Sequence, residues 1–157
     1  TAIKDLSLVT VGGTGMLGVP GVAGRTFDAV AKTGTSVPLI SQASSEQSIC
    51  FTVPLESAEK VKKALEKAFT GEIQRRDIDS ISISPAVSIV SAVGAGMRYT
   101  PGVAGRIFTA LGSAGVNVIA IAQGSSEVSI SLVVDQDSLR DAVKTLHDLI
   151  ISEQRGK

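Results

Sequence analysis

The residues with the most chemical potential belong to a motif that occurs twice in this sequence. Residues 20–25 read PGVAGR, and the same letters return at residues 101–106. A shift of 81 positions also carries residues 42–46 (QASSE) onto residues 123–127 (QGSSE). One register fits both ends of the repeat without an insertion. The chain therefore contains two copies of one unit, and the groups that both copies keep are the best guide to function.

The first half of the motif predicts a place for a carboxylate. Pro20 suits the first position of a helix, and the amides of Gly21, Val22 and Ala23 would then lack acceptors within that helix. Their small side chains let a ligand approach the backbone, and the positive end of the helix dipole favours an anion. Gln42, at the end of the next predicted strand, offers an amide oxygen to an ammonium group. These groups together predict a site for a free α-amino acid.

The polar turn after Gln42 adds Ser44, Ser45 and Glu46 to the same region. Glu46 and its counterpart Glu127 are single carboxylates, and we interpret them as capping or binding groups, not as an acid and base pair. A purely structural alternative stays open, in which glycine and proline shape a turn and Gln42 caps it. The repetition of the loop, the glutamine and the turn favours binding.

A competing interpretation comes from residues 13–18 (GTGMLG), which match the dinucleotide pattern G-x-G-x-x-G between a predicted strand and a predicted helix. The second copy has Tyr99 where the third glycine should stand. In addition, no acidic residue ends the second strand, where a ribose hydroxyl would need one. We therefore do not predict a nucleotide site.

Catalytic and metal chemistry find little support. His147 is the only histidine, and no nucleophile arrangement can be built around it, so we expect a residue at the surface or in an interface. Cys50, the only cysteine, excludes an internal disulfide and fits a reducing cytosol. Its place in the middle of a predicted strand indicates a small buried residue. Without a metal-ligand cluster, we expect no cofactor and no enzyme activity in this chain.

The composition is that of a globular chain of 157 residues with 43% hydrophobic residues and no net charge. Balanced charge and few aromatic residues argue against nucleic acid, because there is neither a basic stripe nor a stacking platform. No apolar run reaches the ~18 residues that a membrane span needs. Each copy is near the lower size limit for an independent core, so pairing of the copies is expected. The start at Thr1 without a methionine is consistent with a piece of a longer protein or with a processed chain.

Periodicity predicts the elements that must position these groups. In the first copy they are a strand at residues 6–11, a helix from Pro20 to Gly34, strands at 36–41 and 47–53, a helix at 56–69, a charged link after Gly71 and a strand at 78–84. In the second copy they are a strand at 87–93, a helix at 101–113, strands at 116–123 and 128–134, and a helix at about 136–151.

The order of these elements predicts an α+β fold of two ferredoxin-like βαββαβ units packed side by side. We expect the first domain at residues 6–84 and the second at residues 85–151. The second copy lacks its fourth strand, and an open sheet edge is usually covered. Residues 1–5, a partner chain or a removed tail are the candidates, so the tails at 1–5 and 152–157 are considered for completing the second sheet.

The whole chain resembles the paired ACT domains that form the C-terminal regulatory half of aspartate kinases. The resemblance is carried by residues 39–46, 94–97, 101–104 and 116–127. The form Q-x-S-S-E is most similar to the threonine-sensing kinases, including those fused to homoserine dehydrogenase. The resemblance implies a regulatory fragment without the kinase domain that transfers phosphate from ATP to aspartate.

The implied effector is threonine, acting by feedback, with a lysine-sensing domain or a ligand-free ACT dimerisation module as alternatives. The implied partners are a second copy, through the ACT domains, and the kinase domain of the parent chain. The implied location is the cytoplasm, or the plastid if the source is a plant.

In the family, the ligand lies where two ACT units pair, and its residues can be carried over by position. One site comprises Gly18, Gly21, Val22, Ala23 and Gln42 with Asn117 and Val118. The pseudo-symmetric site comprises Thr100, Gly102, Val103, Ala104 and Gln123 with Ser36 and Val37. Pro38 stands where lysine-sensing members carry an acidic residue, which disfavours lysine. Ser36 stands where the other copy has Asn117, which predicts two unequal sites.

Overall fold

The computed structural model describes residues 1–155. It divides the chain into two compact units, which we call the first unit (residues 5–86) and the second unit (residues 1–4 with those from 87 onward). The strands and α-helices are β1 (Ala2–Gly12), α1 (Val22–Ala31), β2 (Ile40–Gln42), β3 (Ser48–Pro54), α2 (Ala58–Ala68), α3 (Thr70–Arg75), β4 (Ser80–Val93), α4 (Val103–Ser113), β5 (Ala120–Gln123), β6 (Ser129–Asp135) and α5 (Leu139–Arg155). This is the mixed α and β fold that the sequence predicts.

The sheet of the first unit has the strand order β2-β3-β1-β4. β3 pairs antiparallel with both β1 and β2. One face of this sheet carries Val9, Val11 and Phe51, which pack with Val61 and Leu65 of α2 in one buried cluster. The alternation of apolar residues along β1 and their helical spacing along α2 explain why these side chains meet.

The sheet of the second unit contains β4, β6 and β5 in that order, and β6 pairs antiparallel with both β4 and β5. Its free side is covered by the first residues of the chain. The Ser91 amide donates to the Thr1 carbonyl at 2.9 Å, and the Thr1 nitrogen donates to the Ser91 carbonyl at 2.9 Å. Residues 1–5 were one of the three candidates for this edge. Residues 152–155 belong to α5, and 156–157 lie outside the described residues.

Both motif helices begin two residues later than the sequence predicts. Gly21 and Gly102 adopt left-handed backbone, with φ of 87° and 83°, and precede α1 and α4 as their N-caps. A left-handed residue cannot continue a right-handed helix. Helical pairing therefore starts with the Arg25 amide, which donates to the Gly21 carbonyl at 2.9 Å. The predicted start at Pro20 is wrong, and the first helical residue is Val22.

Several other predicted bounds are also wrong. The strand predicted at residues 116–123 begins only at Ala120 as β5, and the strands predicted at 78–84 and 87–93 form the single strand β4. β2 is confined to Ile40–Gln42 instead of residues 36–41, and Pro38 explains part of this because proline has no amide to donate to a ladder. The predicted link after Gly71 is the helix α3. Gly71 favours a break, yet α3 continues to Arg75, and its C-cap Arg76 takes left-handed backbone with φ of 63°.

Candidate functional site

A pocket of about 330 Å³ lies at the N-terminus of α1 in the first unit. Its volume is at the lower end of the range for small-molecule sites. The lining residues come from the loop after β1, the start of α1, the end of β2 and the β2–β3 turn with the start of β3: Met16, Gly18, Val19, Pro20, Gly21, Val22, Ala23, Gln42, Glu46 and Ile49. Five residues carried over from the family pattern are among them, namely Gly18, Gly21, Val22, Ala23 and Gln42.

The start of α1 supplies backbone donors beside this pocket, and Val22 and Ala23 are among the lining residues. Because Val22 is the first helical residue, the first-turn amides belong to Val22, Ala23 and Gly24, and these have no acceptors within the helix. This corrects the prediction from the sequence, which began the set at Gly21. Ala23 is half-buried and Gly24 is exposed. Their small size keeps the backbone open to a ligand.

The strand pairing positions the acceptor. Gln42 is the last residue of β2, and its register partner in β3 is Ile49. Ile49 is buried in the core, whereas Gln42 is exposed. Both line the pocket, so the ladder holds an amide side chain and an apolar side chain beside the helix start. Met16, Val19, Pro20 and Ile49 were not predicted as lining residues, although the repeat of Met16 at Met97 was a signal.

Glu46 joins the β2–β3 turn to the loop before α1. Its Oε2 accepts the Gly18 amide at 3.0 Å. The second unit repeats the contact, because the Glu127 Oε2 accepts the Tyr99 amide at 3.1 Å. Gly18 and Tyr99 both have left-handed backbone, with φ of 70° and 56°. The structure therefore shows both glutamates capping a loop amide.

Two glycines of the nucleotide-like pattern have a packing role. A Cβ built on Gly13 would lie 2.2 Å from the Asp77 carbonyl oxygen, and one built on Gly15 would lie 2.5 Å from the Asp77 Cα. No side chain fits at such distances from backbone atoms. The pattern thus reflects close approach of the loop to the segment that follows α3.

Arg25, the last residue of the motif, connects helices. Its guanidinium donates to the Glu72 carboxylate and to the Ala68 carbonyl at 2.7 Å, and it lies 4.7 Å from the centroid of the Phe69 ring. The hydrogen bond from Arg25 lowers the pKa of Glu72, and the same bond raises the pKa of Arg25. This partner could not be predicted from the sequence, because the repeat marks Arg25 without indicating what it contacts.

The remaining predicted residues of the first unit lie apart from the pocket lining. Ser36 is exposed and Val37 is half-buried, and both are in the segment between α1 and β2. Val37 packs against the core of the first unit. Neither is among the residues that line the pocket.

The second unit repeats the framework with its own predicted residues. Gly102 is the N-cap of α4, Val103 and Ala104 pack against the core of this unit, and Gln123 ends β5 opposite Ile130. The Thr100 hydroxyl donates to the Gly96 carbonyl at 2.7 Å. Asn117 is exposed and Val118 is half-buried, and both lie in the segment before β5.

His147 and Cys50, the single histidine and the single cysteine of the sequence, were considered for catalytic or redox chemistry. His147 is 69% exposed, and its Nδ1 lies 3.8 Å from the Asp148 Oδ1. Cys50 is half-buried, although its place in the strand predicted a buried residue. Its thiol donates to the Ser41 carbonyl at 3.5 Å, and partial burial raises the pKa of Cys50. Within residues 1–155, no cluster of three or more metal-ligating side chains is found. In the same part of the chain, none of the helices combines the length and apolarity of a membrane span.

The sequence profile of the ACT domain matches residues 9–69 and 90–149. The chain belongs to the ACT domain family. The two matched ranges fall one in each unit, so each unit is an ACT repeat.

Curated relatives match this chain over most of its length. The chain is 43% identical over 155 residues to a bifunctional aspartokinase/homoserine dehydrogenase of Haemophilus influenzae, with 99% of this chain and 19% of that protein covered. It is 45% identical over 145 residues to a chloroplastic protein of the same description from Arabidopsis thaliana, with 92% and 16% covered. The chain thus spans less than a fifth of the length of these relatives.

A solved structure has the same fold along nearly its whole length. The regulatory subunit of aspartate kinase from Thermus thermophilus, in a ligand-free form, superposes with a TM-score of 0.78 at 28% identity. The alignment covers 94% of this chain and 93% of that subunit.

Proposed function

We propose that this chain is the amino-acid-sensing regulatory region of an aspartokinase and that threonine is its feedback effector. One observation carries the proposal. The residues repeated between the two copies converge, in the first unit, on a pocket that combines helix-start amides with the Gln42 side chain. The similarity to regulatory regions of aspartokinases supports the choice of parent enzyme.

The charge of the pocket favours a zwitterion. The first-turn amides of α1 attract a carboxylate through the helix dipole. Of the residues that line the pocket, Glu46 is the only one with an ionisable side chain. A ligand with one carboxylate and one ammonium group can satisfy the helix start while its positive end faces the Gln42 side chain. A dicarboxylic amino acid would bring a second negative charge toward Glu46.

The preference for threonine over lysine rests on two features. Pro38 stands where lysine-sensing members of the family carry an acidic residue, so a side-chain ammonium would lack that partner. The pocket is also small, and Met16, Val19, Val22 and Ile49 give it an apolar part that suits a short branched side chain. Lysine is the alternative effector.

A second candidate function is assembly of subunits. β2 and β5 are the outer strands of the two sheets, and Ile40 and Ile121 occupy equivalent positions in them with 46% and 44% exposure. Exposed apolar residues on a strand with free backbone groups favour pairing with another chain. We therefore propose a homodimer formed through ACT domains, with a kinase domain as a further partner.

Titration calorimetry with threonine, lysine, methionine and isoleucine tests the function. We expect heat of binding with threonine and little or none with the other three. If only lysine binds, lysine and not threonine is the effector. An absence of binding to all four, in a chain that is dimeric by light scattering, would favour the assembly function and overturn the sensing function.

A further inference from the structure

The β2–β3 turn ends in a glutamate with unfavourable backbone geometry, and the β5–β6 turn does the same. Glu46 and Glu127 have φ of 54° and 57°. Each closes a four-residue turn, with the Glu46 amide donating to the Ala43 carbonyl at 3.0 Å and the Glu127 amide to the Gly124 carbonyl at 3.1 Å. Left-handed backbone is uncommon for a residue with a Cβ, and glycine adopts it readily. A glutamate at both turns indicates that its side chain has a role that glycine could not fill.

That role is visible in the contact with the loop before each motif helix. Glu46 accepts the Gly18 amide, and Glu127 accepts the Tyr99 amide. Gly18 and Glu46 both line the pocket, so the first of these hydrogen bonds lies in the pocket wall.

The comparison of Gly18 with Tyr99 shows that the hydrogen bond to the glutamate does not depend on which residue supplies the amide. Both have left-handed backbone, although one has no side chain and the other has a large one. A Cβ on Gly18 would meet nothing within 4 Å. The two copies therefore share the carboxylate contact and the loop conformation, while the side chain at the loop position is free to differ.

We propose that Glu46 is a positioning residue for the amino-acid pocket. By accepting the Gly18 amide, it holds the loop so that the start of α1 and Gln42 face the same space before a ligand arrives. This inference rests on the proposed function, since it names the residue that preorganises the same site. Without the contact, only a fraction of the molecules has the loop in place, and the apparent affinity falls to that fraction of its intrinsic value. Glu127 has the same role for the loop at Tyr99.

Two substitutions at position 46 separate positioning from other roles. Glu46→Gln keeps an oxygen that can accept the Gly18 amide but removes the charge. Glu46→Gly removes the contact while suiting the left-handed backbone, so it is not expected to unfold the chain. Titration with threonine should give nearly wild-type affinity for Glu46→Gln and an affinity about 2- to 12-fold weaker for Glu46→Gly, the range of one exposed hydrogen bond.

Two outcomes of this titration would overturn the proposal. Wild-type affinity in Glu46→Gly would show that the contact does not prepare the pocket. A loss in Glu46→Gln as large as that in Glu46→Gly would mean that the carboxylate binds the ligand ammonium directly, in place of positioning the loop.

Hydrogen exchange of the Gly18 amide, followed by NMR without ligand, tests the contact independently of the proposed function. We expect faster exchange in Glu46→Gly than in wild type, and near wild-type exchange in Glu46→Gln. Glu127→Gly makes the same backbone change in the other unit and should leave Gly18 unaffected. Unchanged exchange in Glu46→Gly, or equal acceleration by Glu127→Gly, would overturn the proposal. A chain that binds no amino acid but shows the expected exchange would overturn the sensing function alone and leave the contact established.

Discussion

Replacing Gln42 with alanine is the most direct perturbation of the proposed ligand site. Gln42 contributes to the β2–β3 ladder through its backbone, opposite Ile49, while its side chain is exposed at the pocket. The substitution should therefore preserve the fold. It removes the amide oxygen that we assign to the ligand ammonium.

The expected loss of affinity follows from the kind of bond removed. A hydrogen bond to a charged group is worth roughly 1.5 to 3 kcal/mol, which corresponds to about 10- to 150-fold in dissociation constant. Gln123→Ala makes the same change in the second unit. We expect Gln42→Ala to abolish most high-affinity binding and Gln123→Ala to leave more of it, since Ser36 and Asn117 at equivalent positions predict unequal sites.

Titration calorimetry with threonine measures both effects, and circular dichroism confirms that each variant is folded. Gln74→Ala is a matched control, because Gln74 is exposed on α3 and does not line the pocket. It should bind threonine as the wild type does. If folded Gln42→Ala retains wild-type affinity, the assignment of Gln42 to the ligand is wrong.

Three further predictions address the framework around the site. The hydrogen bond from Arg25 lowers the pKa of Glu72, so the pair stabilises the fold above the unfolded-state pKa of about 4.3, and this stabilisation is lost as pH falls through the lower folded-state pKa. Because Arg25 is half exposed, urea unfolding should show Glu72→Gln to be less stable than wild type by about 0.5 to 1 kcal/mol at pH 7. A stability difference that persists unchanged at pH 3 would contradict the ionic origin. Gly13→Ala forces a methyl group against the Asp77 carbonyl and should destabilise the fold by about 1 to 3 kcal/mol in the same assay. Gly24→Ala is the control, because Gly24 has open space around it. Equal stability of the two variants would refute the close approach of Gly13 to Asp77. Light scattering should find a dimer at micromolar concentration, and a monomer with and without threonine would count against pairing through exposed edge strands.

The repeat made much of this architecture predictable. Two identical PGVAGR segments at a constant offset require two copies of one unit, and apolar periodicity assigned the helices and strands of each. The start of α1 was misplaced because Pro20 and Gly21 are both common near helix starts, and only the φ of Gly21 decides which residue is the N-cap. The start of β2 was predicted too early because the apolar residues Val37 and Leu39 beside Pro38 resemble a strand, whereas β2 begins only at Ile40.

By itself, the sequence determined which residues recur and therefore which groups belong together in a site: the helix-start amides, Gln42 and the Ser-Ser-Glu turn. Only the tertiary structure decided how these groups are held. Glu46 meets Gly18 from 28 positions away, and Arg25 meets Glu72 from 47 positions away. Local periodicity reports which face of an element is buried, but it contains no information on the partner of a polar side chain. Such a partner is fixed by the packing of distant segments, as the approach of Gly13 to Asp77 also shows.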